Sequence, residues 1–311
     1  MKSIITGVLL LFGSVVMACD HCGMYLNMRP NDFSHFVGIF YTSNVYEGLV
    51  PVTTKSMMLR HGDELVLPDF QGNTLRDRYQ ITELRARYSF NQKWFLWGRI
   101  PFVQNARYVN NELTQSASGV GDPMLFVGHN LYNSRSADST EVAQRLEWSV
   151  GVKFPLGATQ LKYGNEYVDH DLQPGSGSYD FLLSANYMVF WKRIGLSNQV
   201  MYRWNGPNLG KYAFGNLLTD NLTFIGKLRA NDWTIMPQAG ISARWFSPDT
   251  DSGEILVNSG GTRYLWSAGM EINYKNVSIQ GVYLQPIQEK LEGTQLPQKN
   301  AITINVKYFI S

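Results

Sequence analysis

The sequence predicts an all-β protein, a single transmembrane antiparallel up-and-down β-barrel of about 12 strands preceded by a signal peptide. Three observations predict it. In Arg145–Phe154, Leu146, Trp148, Val150, Val152 and Phe154 share one face of an extended strand, while Arg145, Glu147, Ser149, Gly151 and Lys153 share the other. Roughly eleven further stretches of this kind lie before and after it, separated by turn residues and ending in aromatic residues. Past the first 18 residues, no apolar run approaches the ~18 residues that a membrane helix needs, so only a barrel could cross a bilayer.

Composition agrees with this class. Charged residues make up 17% of the 311-residue chain, below the ~25% of ordinary soluble domains. Aromatic residues make up 13%, and Tyr and Trp favour membrane interfaces. The net charge is +2 and the basic residues are spread along strands, which excludes a nucleic-acid-binding surface.

In chain order, Met1–Ala18 carries Lys2, an apolar run and a small-residue end, the pattern of a secretory signal. The outer membrane of a Gram-negative bacterium is the expected location, with the lipid bilayer and a small-molecule solute as partners; the oligomeric state is left open. Residues 19–34 lack a strand period and read as a periplasmic or plug-like segment. Within them Cys19, His21, Cys22 and Met24, followed by Met28, form a soft-ligand set suited to copper or zinc. A lipid anchor on Cys19 and a Cys19–Cys22 disulfide are the competing readings. No other cofactor is expected.

The barrel occupies 35–311. Its strands read as 35–48, 78–90, 94–109, 121–132, 143–156, 179–191, 194–204, 214–229, 233–245, 262–275, 277–285 and 299–310. Short links at 91–93, 192–193, 230–232 and 276 alternate with longer ones at 49–77, 110–120, 157–178, 205–213, 246–261 and 286–298. Successive links of a meander lie at opposite ends, so the long loops collect on one end, as the external loops of outer-membrane barrels do. The link at 133–142 should be short and is not.

The polar faces should line the lumen, which places Glu83, Arg85, Arg87, Arg99, Arg145, Glu147, Lys153, Arg203, Lys227, Arg229, Arg244, Glu271 and Lys307 there. Such charges either pair and fill a narrow interior or, through their basic excess, bias a pore toward anions. No Ser, His and acid spacing suggests catalysis, and no enzyme activity is expected.

Several short segments carry a resemblance. They are Trp97-Gly98-Arg99-Ile100-Pro101-Phe102, Ser118-Gly119-Val120-Gly121-Asp122-Pro123-Met124-Leu125, Val152-Lys153-Phe154-Pro155-Leu156-Gly157 and Gly175-Ser176-Gly177-Ser178-Tyr179-Asp180-Phe181. In this order they resemble the outer-membrane barrel family named for the meta pathway of phenol degradation, often labelled simply transporter. The resemblance covers roughly residues 80–310 and implies a barrel that passes small, often hydrophobic compounds. The amino-terminal Cys-x-x-Cys instead suggests a metal-handling or structural outer-membrane protein. Read from the residues alone, Gly119, Gly121, Gly175 and Gly177 suit bends, and Asp122 can accept backbone N–H bonds beside one.

Overall fold

The computed structural model describes residues 35–50, 72–134 and 142–310. Within them twelve antiparallel strands close into a barrel. They are β1 (His35–Val50), β2 (Asn73–Ser89), β3 (Trp94–Val109), β4 in two segments (Glu112–Val120 and Met124–Ser134), β5 (Val142–Lys153) and β6 (Asp180–Trp191). The second half comprises β7 (Ile194–Asn205), β8 in two segments (Leu217–Gly226 and Leu228–Ala230), β9 (Trp233–Phe246), β10 (Gly261–Tyr274), β11 (Val277–Leu291) and β12 (Gln298–Ile310). Each strand pairs with its sequence neighbours, and β12 returns to β1 with Phe36 opposite Phe309 and Thr42 opposite Thr303. Closure leaves the sheet without edges, the one way an extended chain can satisfy its backbone in lipid.

The alternation is inside-out with respect to a soluble protein. On β12 the charged and polar set Thr303, Asn305 and Lys307 is buried, whereas Ile302, Ile304, Val306, Tyr308 and Ile310 are exposed. On β2, Glu83, Arg85, Arg87 and Ser89 are buried while Leu84, Tyr88 and Phe90 are exposed. β5 follows the same rule, with Arg145, Glu147, Ser149 and Lys153 inside and Val150 outside. An outer surface of this kind is stable only against hydrocarbon.

Two-residue turns close one end. The β6–β7, β8–β9 and β10–β11 hairpins place Lys192, Asn231 and Lys275 in the left-handed region, with φ of 55°, 53° and 48°. At the β2–β3 link the Asn91 carboxamide accepts the amides of Lys93 and Trp94, each at 2.8 Å. Residues 154–179, 206–216, 247–260 and 292–297 occupy the other end.

One expected long loop is a strand. Asn110 and Asn111 both take positive φ, 50° and 69°, so β3 and β4 join through a tight turn and 112–120 continues the hairpin. Its apolar residues, Leu113, Ala117 and Val120, form no continuous face, so the stretch reads as a loop in sequence. β4 is then broken at Gly121–Pro123: its first segment pairs with β3 and its second with both β3 and β5.

The interior is less polar than the pattern implies. Phe95 and Trp97 of β3, Met124 and Phe126 of β4, Leu182 of β6 and Met201 of β7 form a buried apolar patch on the inner wall. The rings lie flat on it: Phe95 opposes Gly128 and Phe126 opposes Gly151 on the adjacent strand, and a Cβ at either glycine would collide with the ring. The first residues of β3, up to Gly98, are thus apolar on both faces, which explains the weak alternation there. In phospholipid vesicles, Ile304→Arg should lower unfolding free energy by ~2–4 kcal/mol, the cost of a cation at mid-wall. Denaturant titration followed by tryptophan fluorescence measures it, and an unchanged midpoint would mean that this face is not in hydrocarbon.

Candidate functional site

The inward charges of β2, β3 and β5 face each other across short distances, so their register decides whether they repel or pair. Arg85 stands directly opposite Arg99. Glu83 resolves that repulsion by accepting from both, from Arg99 at 2.8 Å and from the Arg85 guanidinium through two nitrogens. Glu147 does the same for Arg87, at 2.8 Å, and for Arg145. The remaining guanidinium surface is spread over rings and sulfur: Arg85 lies 4.2 Å over Phe40, Arg87 lies 3.7 Å over Phe95, and Arg99 donates to the Met124 thioether at 2.8 Å. On the far wall, Lys307 sits 3.5 Å from Glu271, which also accepts from Ser278 at 2.5 Å.

A second layer enters the lumen from the loop end. Residues 154–179 fold inward, burying Val168 and Leu172 against Tyr46, Tyr79, Ala117 and Leu296. Arg107 of β3 holds the segment down: it binds Asp77 through two bonds of 2.7 and 2.9 Å and also pairs with Asp169 and, at 3.7 Å, Asp171. Tyr79 donates to Asp171 at 2.6 Å, and Asn105 donates to the Leu172 carbonyl at 3.0 Å. His170 stacks on Tyr212 with centroids 4.4 Å apart.

Three of the four glycine-containing segments of the sequence meet at the base of this inward loop. Asp122, at the break in β4, accepts the backbone amides of Gly157 (2.9 Å) and Ser176 (2.8 Å) and the Ser176 hydroxyl (2.9 Å). One carboxylate therefore ties down both ends of the loop. Gly157 and Gly175 pass so closely that a Cβ on Gly175 would overlap the Gly157 carbonyl. Lys153 completes the junction, 3.4 Å from Asp122, 2.5 Å from Asp180 and bonded to the Ser176 hydroxyl. Asp180 is fixed by the Ser178 hydroxyl at 2.8 Å and lies 3.9 Å from Arg203. A cavity of about 110 Å³ remains beside it, lined by Arg99, Met124, Lys153, Asp171, Arg203 and Phe214 among others.

Of the residues expected in the lumen, Glu83, Arg85, Arg87, Arg99, Arg145, Glu147, Lys153, Arg203, Arg244, Glu271 and Lys307 are buried. Lys227 is half-buried beneath Phe190, and Arg229 is exposed. The reason is local: β8 is interrupted at Lys227, and its terminal segment 228–230 is exposed throughout. Cys19, His21, Cys22 and Met24 lie outside the described residues, as do the signal segment, the rest of 19–34 and most of the 49–77 link.

The expected basic excess is offset by acids that sequence reading does not count among the lumen charges, although it singles out Asp122 as an acceptor of backbone amides. Asp77, Asp122 and Asp180 are buried, and Asp169, Asp171 and Glu289 pair with Arg107 or Arg263. Asp77 shares the parity of Tyr79, Ile81 and Glu83, and Arg107 that of Arg99, so carrying each alternation further toward the loops would have found both. Asp169 and Asp171 belong to a loop, where no period operates.

No protein-family model matches the chain, and no curated protein matches it. Solved structures do. An outer-membrane channel from Pseudomonas putida F1 superposes with a TM-score of 0.59 at 13% identity, over 94% of this chain and 100% of that one. The β domain of the Bordetella autotransporter BrkA gives 0.48 at 9% identity, over 90% and 100%. A FadL homologue from Pseudomonas aeruginosa gives 0.41 at 10% identity, over 89% and 90%. At these identities the first likeness concerns the fold, that of an outer-membrane β-barrel, and the two lower scores carry no argument.

Arg107→Met should release the inward loop. It leaves Asp77 buried without its cation, a local cost of ~3–5 kcal/mol. Amide exchange across 166–173 should accelerate by orders of magnitude while β10–β12 keep their protection; equal protection in the variant would show that Arg107 does not hold the loop.

Proposed function

We propose that the protein is an outer-membrane channel of a Gram-negative bacterium that passes small solutes through a lumen narrowed by its own inward loop. The observation that carries this is the combination of an apolar outer wall with a lumen constricted at one level by residues 154–179. The fold shared with the Pseudomonas putida channel supports it. The inner apolar patch at Phe95, Trp97, Phe126, Leu182 and Met201 gives a solute with an apolar or aromatic body a surface to travel along. The order of the glycine segments points the same way, through the phenol-pathway resemblance.

The reading contains no catalytic step. His129, the histidine well inside a strand, packs on Trp94, centroids 4.5 Å apart, and lies 6.5 Å from Trp148. The soft-ligand set Cys19, His21, Cys22 and Met24 supports the alternative of copper or zinc handling at the amino terminus. Copper(I) titration of the purified protein, against a Cys22→Ser variant, separates that role from transport.

Planar-bilayer recording tests the channel reading. Wild-type protein should give small unitary conductance, and a variant with residues 160–173 replaced by a short Gly-Ser link should conduct several-fold more. Absence of conductance in both, with heat-modifiable migration showing folded barrels, would end the channel reading.

A further inference from the structure

The lumen charges pair almost everywhere, and the exception lies on the β7–β9 wall. Arg244 of β9 points inward in register with Ser242 and Phe246 and is 7% exposed. Its cross-strand neighbours are Thr219 of β8 and Arg263 of β10. Arg263 is fully engaged: it donates to Glu289 at 2.6 Å and to the Leu296 carbonyl at 3.3 Å, and lies between the rings of Tyr46 and Phe246 at 4.9 and 4.7 Å. Arg244 has no hydrogen-bond, ion-pair or ring partner among the described residues. Like charges directly across a sheet disfavour each other, and a buried cation without a counter-charge is costly. A neutral residue at 244 would remove both penalties.

A second, independent group on the same wall makes the same demand. Gln199 of β7 is buried, and its side-chain nitrogen has no partner. Gln199 faces Asn221, which faces Ser242, the inward residue next to Arg244. The Asn221 oxygen is already taken by the Ser242 hydroxyl at 2.6 Å. The nearest lumen acids are committed too, Asp180 to Lys153 and Glu289 to Arg263. Two of these three strands thus carry an unpartnered donor, Gln199 on β7 and Arg244 on β9, and no carboxylate there answers either. Immediately toward the loops, Leu217 and Phe246 form an apolar cluster with Phe214 and Leu291 packed on it.

A guanidinium and an amide with no acceptor, bordered by apolar and aromatic side chains, match one solute class. We propose that Arg244 and Gln199 form a subsite for the carboxylate of a small organic acid whose apolar body lies toward Phe246 and Leu217. The assignment deepens the channel reading by naming a solute class, and it rests on that reading only for delivery. A guanidinium binds carboxylate oxygens through paired N–H donors, which an ammonium reproduces only in part.

The test is equilibrium binding to the full chain in detergent, with benzoate as probe, benzyl alcohol as its neutral counterpart and acetate as the anion without an apolar body. Titration calorimetry should show benzoate binding that weakens at least tenfold in Arg244→Met and several-fold in Gln199→Leu. Arg244→Lys should keep part of the affinity, and benzyl alcohol should not distinguish the variants. Heat-modifiable migration establishes that each variant is folded; should Arg244→Met not fold, Arg244→Lys and Gln199→Leu carry the comparison. No benzoate binding by the wild type, or equal affinity in the folded variants, overturns the subsite. Acetate binding as tightly as benzoate overturns the apolar body. Because binding is read without flux, a barrel that binds benzoate through Arg244 yet never conducts would sink the channel reading alone.

Discussion

The rest of the structure depends on charge compensation inside a closed tube. Each ion taken from water into the lumen costs several kcal/mol that its partners must offset. Glu83 and Glu147 do so by standing between two arginines each, and the surplus guanidinium surface is absorbed by Phe40, Phe95 and the Met124 sulfur. Buried ion pairs of this kind are weak evidence for net stability, because apolar residues of similar volume often do as well. What they supply is register. Slipping β2 by one residue would turn Glu83, Arg85 and Arg87 into lipid and Leu84 into the lumen, at ~2–4 kcal/mol for each cation moved to mid-wall. The charges therefore specify which alignment of twelve similar strands is the native one.

The same pressure shapes the apolar patch that lies beside these charges. An inner surface with only polar residues would leave a wide, wet tube, and one with large rings standing upright would fill it. Laying Phe95 over Gly128 and Phe126 over Gly151 places aromatic area against the backbone instead. Trp97 stacks on Phe126 at 3.9 Å and 7°, which extends the sheet of rings across β3 and β4. Glycines in these strands thus act as sockets for the neighbouring strand's ring.

Much of this was legible in the sequence, because a barrel strand obeys one period and one rule of facing. The number of strands and most of their positions, the outward set on β12 and the inward charges on β2 and β5 follow from alternation alone, although β2 starts at Asn73 rather than 78 and β11 runs on to Leu291 where a loop was expected from 286. Legibility failed where the period stops. Glu112–Val120 has no continuous apolar face and looked like a loop, and the break at Lys227 left Arg229 exposed although its residue type matched the lumen set. The glycine segments were visible as punctuation, and Asp122 was recognisable as an acceptor for backbone amides. That its donors are Gly157 and Ser176, 35 and 54 positions away, required the fold. Asp169 and Asp171 were silent for the same reason: only the inward path of 154–179 brings them to Arg107.

The two attachments of that loop differ in kind, and the difference says where motion is possible. At its base, Asp122 bonds to backbone amides, which are present whatever the side chains, and Gly157 and Gly175 are packed against each other without room for a Cβ. This junction fixes the entry and exit of the loop rigidly, and it also seals the break in β4. At its tip, the hold on Asp169 and Asp171 includes single side chains, Arg107, Tyr79 and Gln115. Leu172 is fully buried, but Val168 and Leu172 together are a small apolar anchor for a segment of this length. A loop pinned hard at its stem and held at its tip by a few charge-assisted bonds can swing without disturbing the barrel's hydrogen bonds. Displacing the constriction in this way would leave untouched the wall that must remain closed toward lipid.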